Sequence, residues 1–106
     1  MARLRFSERA DEDLKAIARY IRHNRATAVP GVLAGIRRVF RQLAKNPQMG
    51  SLYEFGRPNL RMIVPNKPSR RYVVFFRYDE VENAVDVLSI LDAARDWESI
   101  ILERGI

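Results

Sequence analysis

Several charged residues follow the last apolar run of the chain, in the segment DAARDW at residues 92–97. Asp92, Arg95 and Asp96 are of types that transfer protons or stabilise an anionic transition state. An aspartate with an ordinary pKa of about 3.9 is ionised at neutral pH, so Asp92 would be a usable base but a poor acid beside a phosphate. Its alternative role is structural, because a carboxylate at a helix start accepts free backbone N–H groups. We favour Asp92 as the N-cap of the last helix, bonded to Ala94 or Arg95, and predict no catalytic residue.

Other reactive residue types are scarce. The chain has no cysteine and a single histidine, His23. Disulfides, cysteine-based zinc sites and a thiol nucleophile are therefore excluded, and little remains for histidine chemistry. We expect neither a metal site nor a cofactor.

The charge of the chain is large and uneven. The formal net charge is +6 with a pI of about 10.3, and 16 of the 19 basic residues are arginine. Residues 1–77 hold 17 basic and 5 acidic residues, a net +12, whereas residues 78–106 hold 2 basic and 8 acidic residues, a net −6. Arginine favours forked recognition of carboxylate or phosphate. The pattern indicates an acidic protein partner or nucleic acid, although a basic small protein need only be soluble.

The length of 106 residues predicts a single domain over residues 1–106. No run of about 18 apolar residues exists, and no short apolar stretch follows a basic start. We therefore expect a soluble, cytoplasmic protein.

The first half of the chain predicts a strand and two helices. Leu4 and Phe6 alternate with arginines in a short strand, and Ser7 follows as the N-cap of a helix that runs to about His23. A second helix starts near Thr27 or Ala28 and stops at Asn46-Pro47. Because the link between them is short, the two helices form an antiparallel hairpin. Gly31 and Gly35 in the second helix indicate either close helix-to-helix approach or weak local stability.

The second half predicts three strands and a last helix. The strands cover Leu60 to Val64, Arg71 to Tyr78 and Ala84 to Leu91, joined as an antiparallel meander. The middle strand is apolar on both faces, as in a strand covered on both sides. The last helix begins near Asp92 or Ala93 and buries Trp97, Ile100 and Ile101. The fold class is α+β.

Four segments resemble a known group of proteins. They read LRFSERADEDLKAIARYI, FRQLAKNPQMG, LRMIVPN followed by RRYVVFFRYD, and VDVLSILDAARDW. Together they resemble the ParE branch of the ParE/RelE toxin superfamily of bacterial type II toxin–antitoxin modules. The resemblance implies a small antiparallel sheet with a helical hairpin packed on it. It also implies an antitoxin encoded beside the toxin, ParD-like with a ribbon-helix-helix fold, whose C-terminal segment wraps across the toxin.

The two branches of the superfamily differ in activity. RelE-like toxins cleave mRNA in the ribosome, whereas the ParE branch poisons DNA gyrase without a hydrolytic site. At the position that resembles the catalytic arginine of RelE this chain has Val73, and where many relatives have a histidine it has Asp92. Arg61 lies where a basic residue is expected, but its same-face neighbour is Ile63. Gyrase inhibition is therefore favoured, with a ribosome-dependent mRNA endonuclease as the alternative. A retargeted family member and an unrelated basic binding protein also remain open.

Two surfaces are candidates for binding. An antitoxin helix with an apolar stripe and acidic flanks would fit a groove between the helical hairpin and the sheet, although each apolar member is by itself more often a core residue. The antitoxin-binding candidates are Leu14, Ile17, Ile21, Arg22, Ile36, Arg37, Phe40 and Arg41. By analogy with the family, a second surface with the last helix would contact gyrase or the DNA it holds. The target-binding candidates are Arg57, Arg61, Arg70, Arg71, Arg77 and Arg95.

Overall fold

The computed structural model describes residues 1–24, 31–53 and 57–106. Three helices and five strands follow in the order β1 Arg3–Phe6, α1 Glu8–His23, α2 Val32–Lys45, β2 Ser51–Leu52, β3 Arg61–Ile63, β4 Tyr72–Asp79, β5 Ala84–Asp92 and α3 Trp97–Arg104. The strands form one sheet in the order β1-β5-β4-β3-β2. The predicted α+β fold is confirmed, and β2 is an addition to it. Within the described ranges, no helix is long and apolar enough to cross a membrane.

The predicted meander is present as the antiparallel strands β3, β4 and β5. Strand β1 lies parallel to β5, with Arg3 opposite Ala84 and Phe6 opposite Val87. A parallel pair needs a long crossover, and the chain between the two strands supplies it. Strand β1 therefore forms one edge of the sheet, beside the last strand in the chain. This pairing could not be predicted from the four residues of β1 alone.

The ends of α1 and α2 follow local signals. Ser7 is the N-cap of α1, as predicted: its Oγ accepts the N–H of Ala10 at 3.1 Å and donates to the carbonyl of Leu88 at 3.1 Å. The described part of α2 begins at Val32, after Gly31 with a φ of 89°. The predicted starts at Thr27 and Ala28 lie outside the described residues. Helix α2 ends at Lys45, before the predicted stop at Asn46-Pro47.

Gly35 marks a close approach, but to a loop and not to the other helix. A Cβ at this position would overlap the Oγ of Ser69, which lies between β3 and β4. Ser69 is fully buried, and its hydroxyl donates to the carbonyl of Val32 at 2.5 Å. The absence of a side chain at Gly35 thus lets this loop dock against α2.

The sheet has an apolar layer on each face. Helices α1 and α2 cover the first face, where Ile36 and Phe40 pack with Val74, Phe76 and other residues of β4 and β5 in the first core. Helix α3 covers the second face in the second core, which consists of Tyr53, Leu60, Val73, Phe75, Leu91 and Ile101, with Trp97 and Ile100 packed against it. The prediction that the strand at residues 71–78 is covered on both sides is confirmed, because successive side chains of β4 enter opposite cores.

The predicted start of the last helix is wrong. Asp92 is the last residue of β5, and the N-cap of α3 is Asp96. The Asp96 carboxylate accepts the backbone N–H of Ser99 at 3.4 Å and its hydroxyl at 2.7 Å. Asp92 does accept the N–H of Ala94, at 2.9 Å, but in a separate turn that precedes the helix. Asp92 and Asp96 are both residues that commonly cap a helix. Because a turn follows Asp92, the helix begins only after Asp96.

Candidate functional surfaces

The eight antitoxin-binding candidates divide by burial. Ile17, Ile36 and Phe40 are at most 7% exposed and belong to the first core. Leu14 and Ile21 are half-buried and pack against that core. The remaining three are exposed: Arg22, Arg37 and Arg41. Five of the eight residues therefore have exposed or half-buried side chains, and the other three lie in the core.

The six target-binding candidates do not lie on one surface. Arg77 alternates with Phe76 and Tyr78, which face the first core, so it lies on the α3 side of the sheet. Its Nε donates to the carbonyl of Pro58 at 3.1 Å. Burial, and secondarily the charge of Arg57, lower the pKa of Arg77. Arg57 and Arg77 are therefore neighbours near the far end of β4.

Arg61 belongs to a different part of the sheet. It shares a strand face with Ile63, which packs against the first core, and its Nη1 donates to the carbonyl of Gln48 at 2.8 Å. It lines an open pocket of about 540 Å³ beside the edge strand β2. The same pocket holds Asp79 and Glu80, whose carboxylates offset the charge of Arg61 for an anionic ligand.

Three of the candidates gather at the start of β4, about 23 Å along the strand from its other end. The Nε of Arg71 donates to Asp92 at 2.8 Å, and its guanidinium lies 5.1 Å from the centre of the Tyr20 ring. Interaction with Tyr20, followed by the hydrogen bond to Asp92, raises the pKa of Arg71. Arg70 and Arg95 are exposed and form no ion pair or hydrogen bond through their side chains in the described part of the chain. We call Tyr20, Arg70, Arg71, Asp92 and Arg95 the Arg71 cluster.

The Arg71 cluster borders a groove of about 220 Å³ between α1 and the ends of β4 and β5. Its polar edge is formed by Arg71, Asp92 and Arg95, and its floor includes Tyr72. Tyr72 is 6% exposed, and burial raises the pKa of its hydroxyl. This side chain is therefore neutral at physiological pH. The charged residues that line the groove are Asp13, Arg71, Asp92 and Arg95, and of the two arginines only Arg95 has no carboxylate partner among the described residues.

The contact that joins α1 to α3 was not predicted from the sequence. Arg104 donates to both carboxylate oxygens of Asp13, at 2.8 and 3.0 Å, and to the Ser89 hydroxyl at 2.7 Å. Asp13 also accepts the N–H of Ile90 at 3.0 Å, on the edge of β5 beyond the end of β1. Arg104 and Asp13 are 91 residues apart and no local pattern links them. Only the parallel pairing of β1 with β5 brings α1 to this edge.

The position that resembles the catalytic arginine of RelE lies inside the protein. Val73 is 2% exposed and belongs to the second core. Tyr72, beside it, points to the first core, as expected from strand alternation. Asp92, at the position of the histidine found in many relatives, is held by Arg71 and by the Ala94 N–H. Among the described residues, no three His, Cys, Asp or Glu side chains form a group able to hold a metal ion.

One protein-family model matches most of the chain. A family model described as the ParE toxin of the type II toxin–antitoxin system parDE matches residues 4–97. No significant match was found among curated protein sequences.

Several solved structures share the fold. A chain of the intact RelBE toxin–antitoxin complex of E. coli aligns with a TM-score of 0.64 and 18% identity, covering 90% of this chain and 100% of that one. The chromosomal ParDE system of P. aeruginosa gives a TM-score of 0.64 and 19% identity, covering 87% and 96%. A mutant of E. coli toxin RelE in the free state gives 0.67 and 18%, covering 100% of both chains. At these identities the likeness concerns the fold.

Proposed function

This chain belongs to the ParE toxin family of type II toxin–antitoxin systems, and we propose on that basis that it inhibits DNA gyrase and is neutralised by a cognate ParD-like antitoxin. Its structural neighbours include a RelBE toxin–antitoxin complex and a ParDE system, which supports an antitoxin partner. The alternative target is translated mRNA, and its support is the equally close fold of E. coli RelE.

The burial of Val73 is the observation that favours gyrase inhibition over RNA cleavage. Cleavage requires groups that move protons at the 2′-hydroxyl and the leaving group, and cations that reach the phosphate. Val73 supplies neither, and it is covered by the apolar second core that it shares with Phe75, Leu91 and Ile101. A substrate phosphate could approach this position only if α3 left the sheet. A toxin that acts by binding needs no such exposure.

The Arg71 cluster is the proposed target-binding site. Arg70 and Arg95 are exposed and, within the described residues, their guanidinium groups have no internal partner. They can therefore bind carboxylates of gyrase, or phosphates of the DNA that it holds, without breaking an existing ion pair. Arg57, Arg61 and Arg77 are weaker candidates, because Arg61 and Arg77 already donate to backbone carbonyls and all three lie away from the cluster.

The antitoxin-binding site is proposed to run from α1 to α2. Leu14 and Ile21 offer half-buried apolar surface, and Arg22, Arg37 and Arg41 offer exposed charge. An amphipathic helix with acidic flanks would bury its apolar stripe on the first two and pair with the arginines. Ile17, Ile36 and Phe40 would support this surface from the core.

The target-binding proposal is tested by removing the two unpaired arginines. The variant Arg70→Ala/Arg95→Ala keeps Arg71, whose contact with Asp92 ties the start of β4 to the end of β5. We expect half-maximal gyrase inhibition to require about tenfold more of this variant, equivalent to about 1.4 kcal/mol of lost binding free energy. The control Arg3→Ala/Arg9→Ala removes the same charge from exposed residues outside the cluster and should inhibit like the wild type. Undiminished inhibition by the folded Arg70→Ala/Arg95→Ala variant would refute the assignment.

A further inference from the structure

The solvent-facing side of α2 carries four cations and no anion. Arg37, Arg38, Arg41 and Lys45 are all exposed, and the helix contains no acidic residue. At 100° and 1.5 Å per residue, they lie within an arc of about 100° and a length of about 12 Å. We call these four residues the α2 basic strip. No stretch of α1 of the same length holds more than three Lys or Arg residues.

The strip is a group of neighbouring cations without internal partners in the described part of the chain. Ion pairs within the described residues involve Arg3, Arg5, Arg9, Lys15, Arg71 and Arg104. No side chain of the strip forms an ion pair or a hydrogen bond with the described part of the chain. Four adjacent uncompensated charges raise the local positive potential and attract a polyanion.

We propose that the α2 basic strip binds the phosphate backbone of duplex DNA. Three of its four residues are arginines, whose planar forks match phosphate oxygens. Because such contacts address phosphates and not base edges, the binding would be independent of sequence. The inference goes beyond gyrase inhibition and does not depend on which enzyme the toxin inhibits.

The composition of the strip favours duplex DNA over the other polyanions. An acidic helix bound to the strip alone would need apolar anchors on α2, but none of the large exposed apolar side chains in the described residues lies there. The antitoxin helix proposed above has its anchors on α1, at Leu14 and Ile21. A single strand would need aromatic side chains on which its bases stack. Tyr20 is exposed, but it belongs to α1 and contacts Arg71. A row of charges without apolar or aromatic anchors suits a regular array of phosphates.

The strip shares Arg37 and Arg41 with the proposed antitoxin-binding site. An antitoxin bound there would occupy part of the strip and exclude DNA. Neutralisation would then release the toxin from DNA as well as from its target. Arg38 and Lys45 lie outside the proposed antitoxin contacts, so changing them separates the two activities.

The test measures the fluorescence anisotropy of a labelled mixed-sequence DNA duplex titrated with the full chain at several salt concentrations. If four phosphates are neutralised, affinity should fall about 150-fold between about 50 and 200 mM salt, since the logarithm of the affinity falls by about 0.9 per contact for each logarithmic unit of salt. The variant Arg38→Ala/Lys45→Ala should retain two contacts, and its affinity should fall only about 12-fold over that range.

The control is Arg9→Ala/Lys15→Ala, which removes the same net charge from two exposed residues of α1 that pair with Glu12 and Asp11. It should keep the salt dependence of the wild type. Circular dichroism verifies that both variants are folded. The proposal is overturned if the wild type does not bind the duplex, if Arg38→Ala/Lys45→Ala binds like the wild type, or if the control weakens binding equally. Tighter binding of a single strand or of polyglutamate than of the duplex would also overturn it.

Discussion

Replacement of Arg104 by alanine should destabilise the protein far more than loss of an exposed ion pair. The side chains of Arg104 and Asp13 are only 15% and 11% exposed, and the guanidinium makes three hydrogen bonds across the edge of the sheet. Without it, Asp13 keeps a largely buried negative charge whose described donor is the Ile90 N–H alone. Removing one member of a buried pair costs about 3–5 kcal/mol. That would be a large part of the total stability of a domain of this size.

The assay is urea denaturation followed by circular dichroism, with Arg71→Ala as the matched control. Arg71 pairs with Asp92 at the same 2.8 Å, but its side chain is 52% exposed, although that of Asp92 is 18% exposed. Solvent screens the Arg71 charge, so we expect a loss of about 1 kcal/mol. In the double variant Asp13→Asn/Arg104→Ala no charge remains in the buried site, and part of the stability should return. If Arg104→Ala costs no more than Arg71→Ala, the contact does not hold α3 to α1 and the reasoning is refuted.

Three further predictions concern the cores and the helix cap. Gly35→Ala should destabilise by about 1–3 kcal/mol, because its Cβ overlaps Ser69, and Ser69→Gly in the same chain should restore part of the loss in thermal unfolding. Phe75→Ala should cost about 3–5 kcal/mol in urea denaturation, whereas Leu102→Ala, at a residue 68% exposed, should change stability by less than about 0.5 kcal/mol. Equal losses would place Phe75 outside the core. The hydroxyl and then the N–H of Ser99 hold the pKa of Asp96 below its ordinary 3.8, so its stabilisation is complete above that pH and is lost as pH falls through the lowered value. Below about pH 4, the urea midpoint of Asp96→Asn should therefore fall less steeply with pH than that of the wild type. Identical pH dependence of the two midpoints would contradict the assignment of Asp96 as the cap.

The parts of the fold that could be predicted rest on local signals. Ser7 predicts the start of a helix, because its hydroxyl accepts a free backbone N–H of the first turn. Asn46-Pro47 predicts the end of a helix, because proline cannot continue it. The apolar centre of β4 requires cover on both faces, whichever elements provide it. These signals lie within a few residues of the feature they determine.

The parts that could not be predicted depend on contacts between distant residues. The alternation of Leu4 and Phe6 predicts a strand, but not that β5 is its partner. The ion pair of Arg104 with Asp13 follows only once that pairing places α1 at the edge of β5. The sequence shows where the arginines are, but only the structure shows which of them are free to bind a partner. Arg71 is paired with Asp92, whereas Arg95, three residues after Asp92, has no such partner in the described chain.

Gyrase inhibition is tested most directly by a supercoiling assay with purified gyrase, relaxed plasmid and this protein, with Arg70→Ala/Arg95→Ala as the matched variant. We expect that supercoiling is lost and that cleaved DNA accumulates, and that about tenfold more of the variant is needed for the same effect. Gyrase that remains fully active, together with cleavage of mRNA on translating ribosomes by the same preparation, would contradict it and identify the chain as a nuclease.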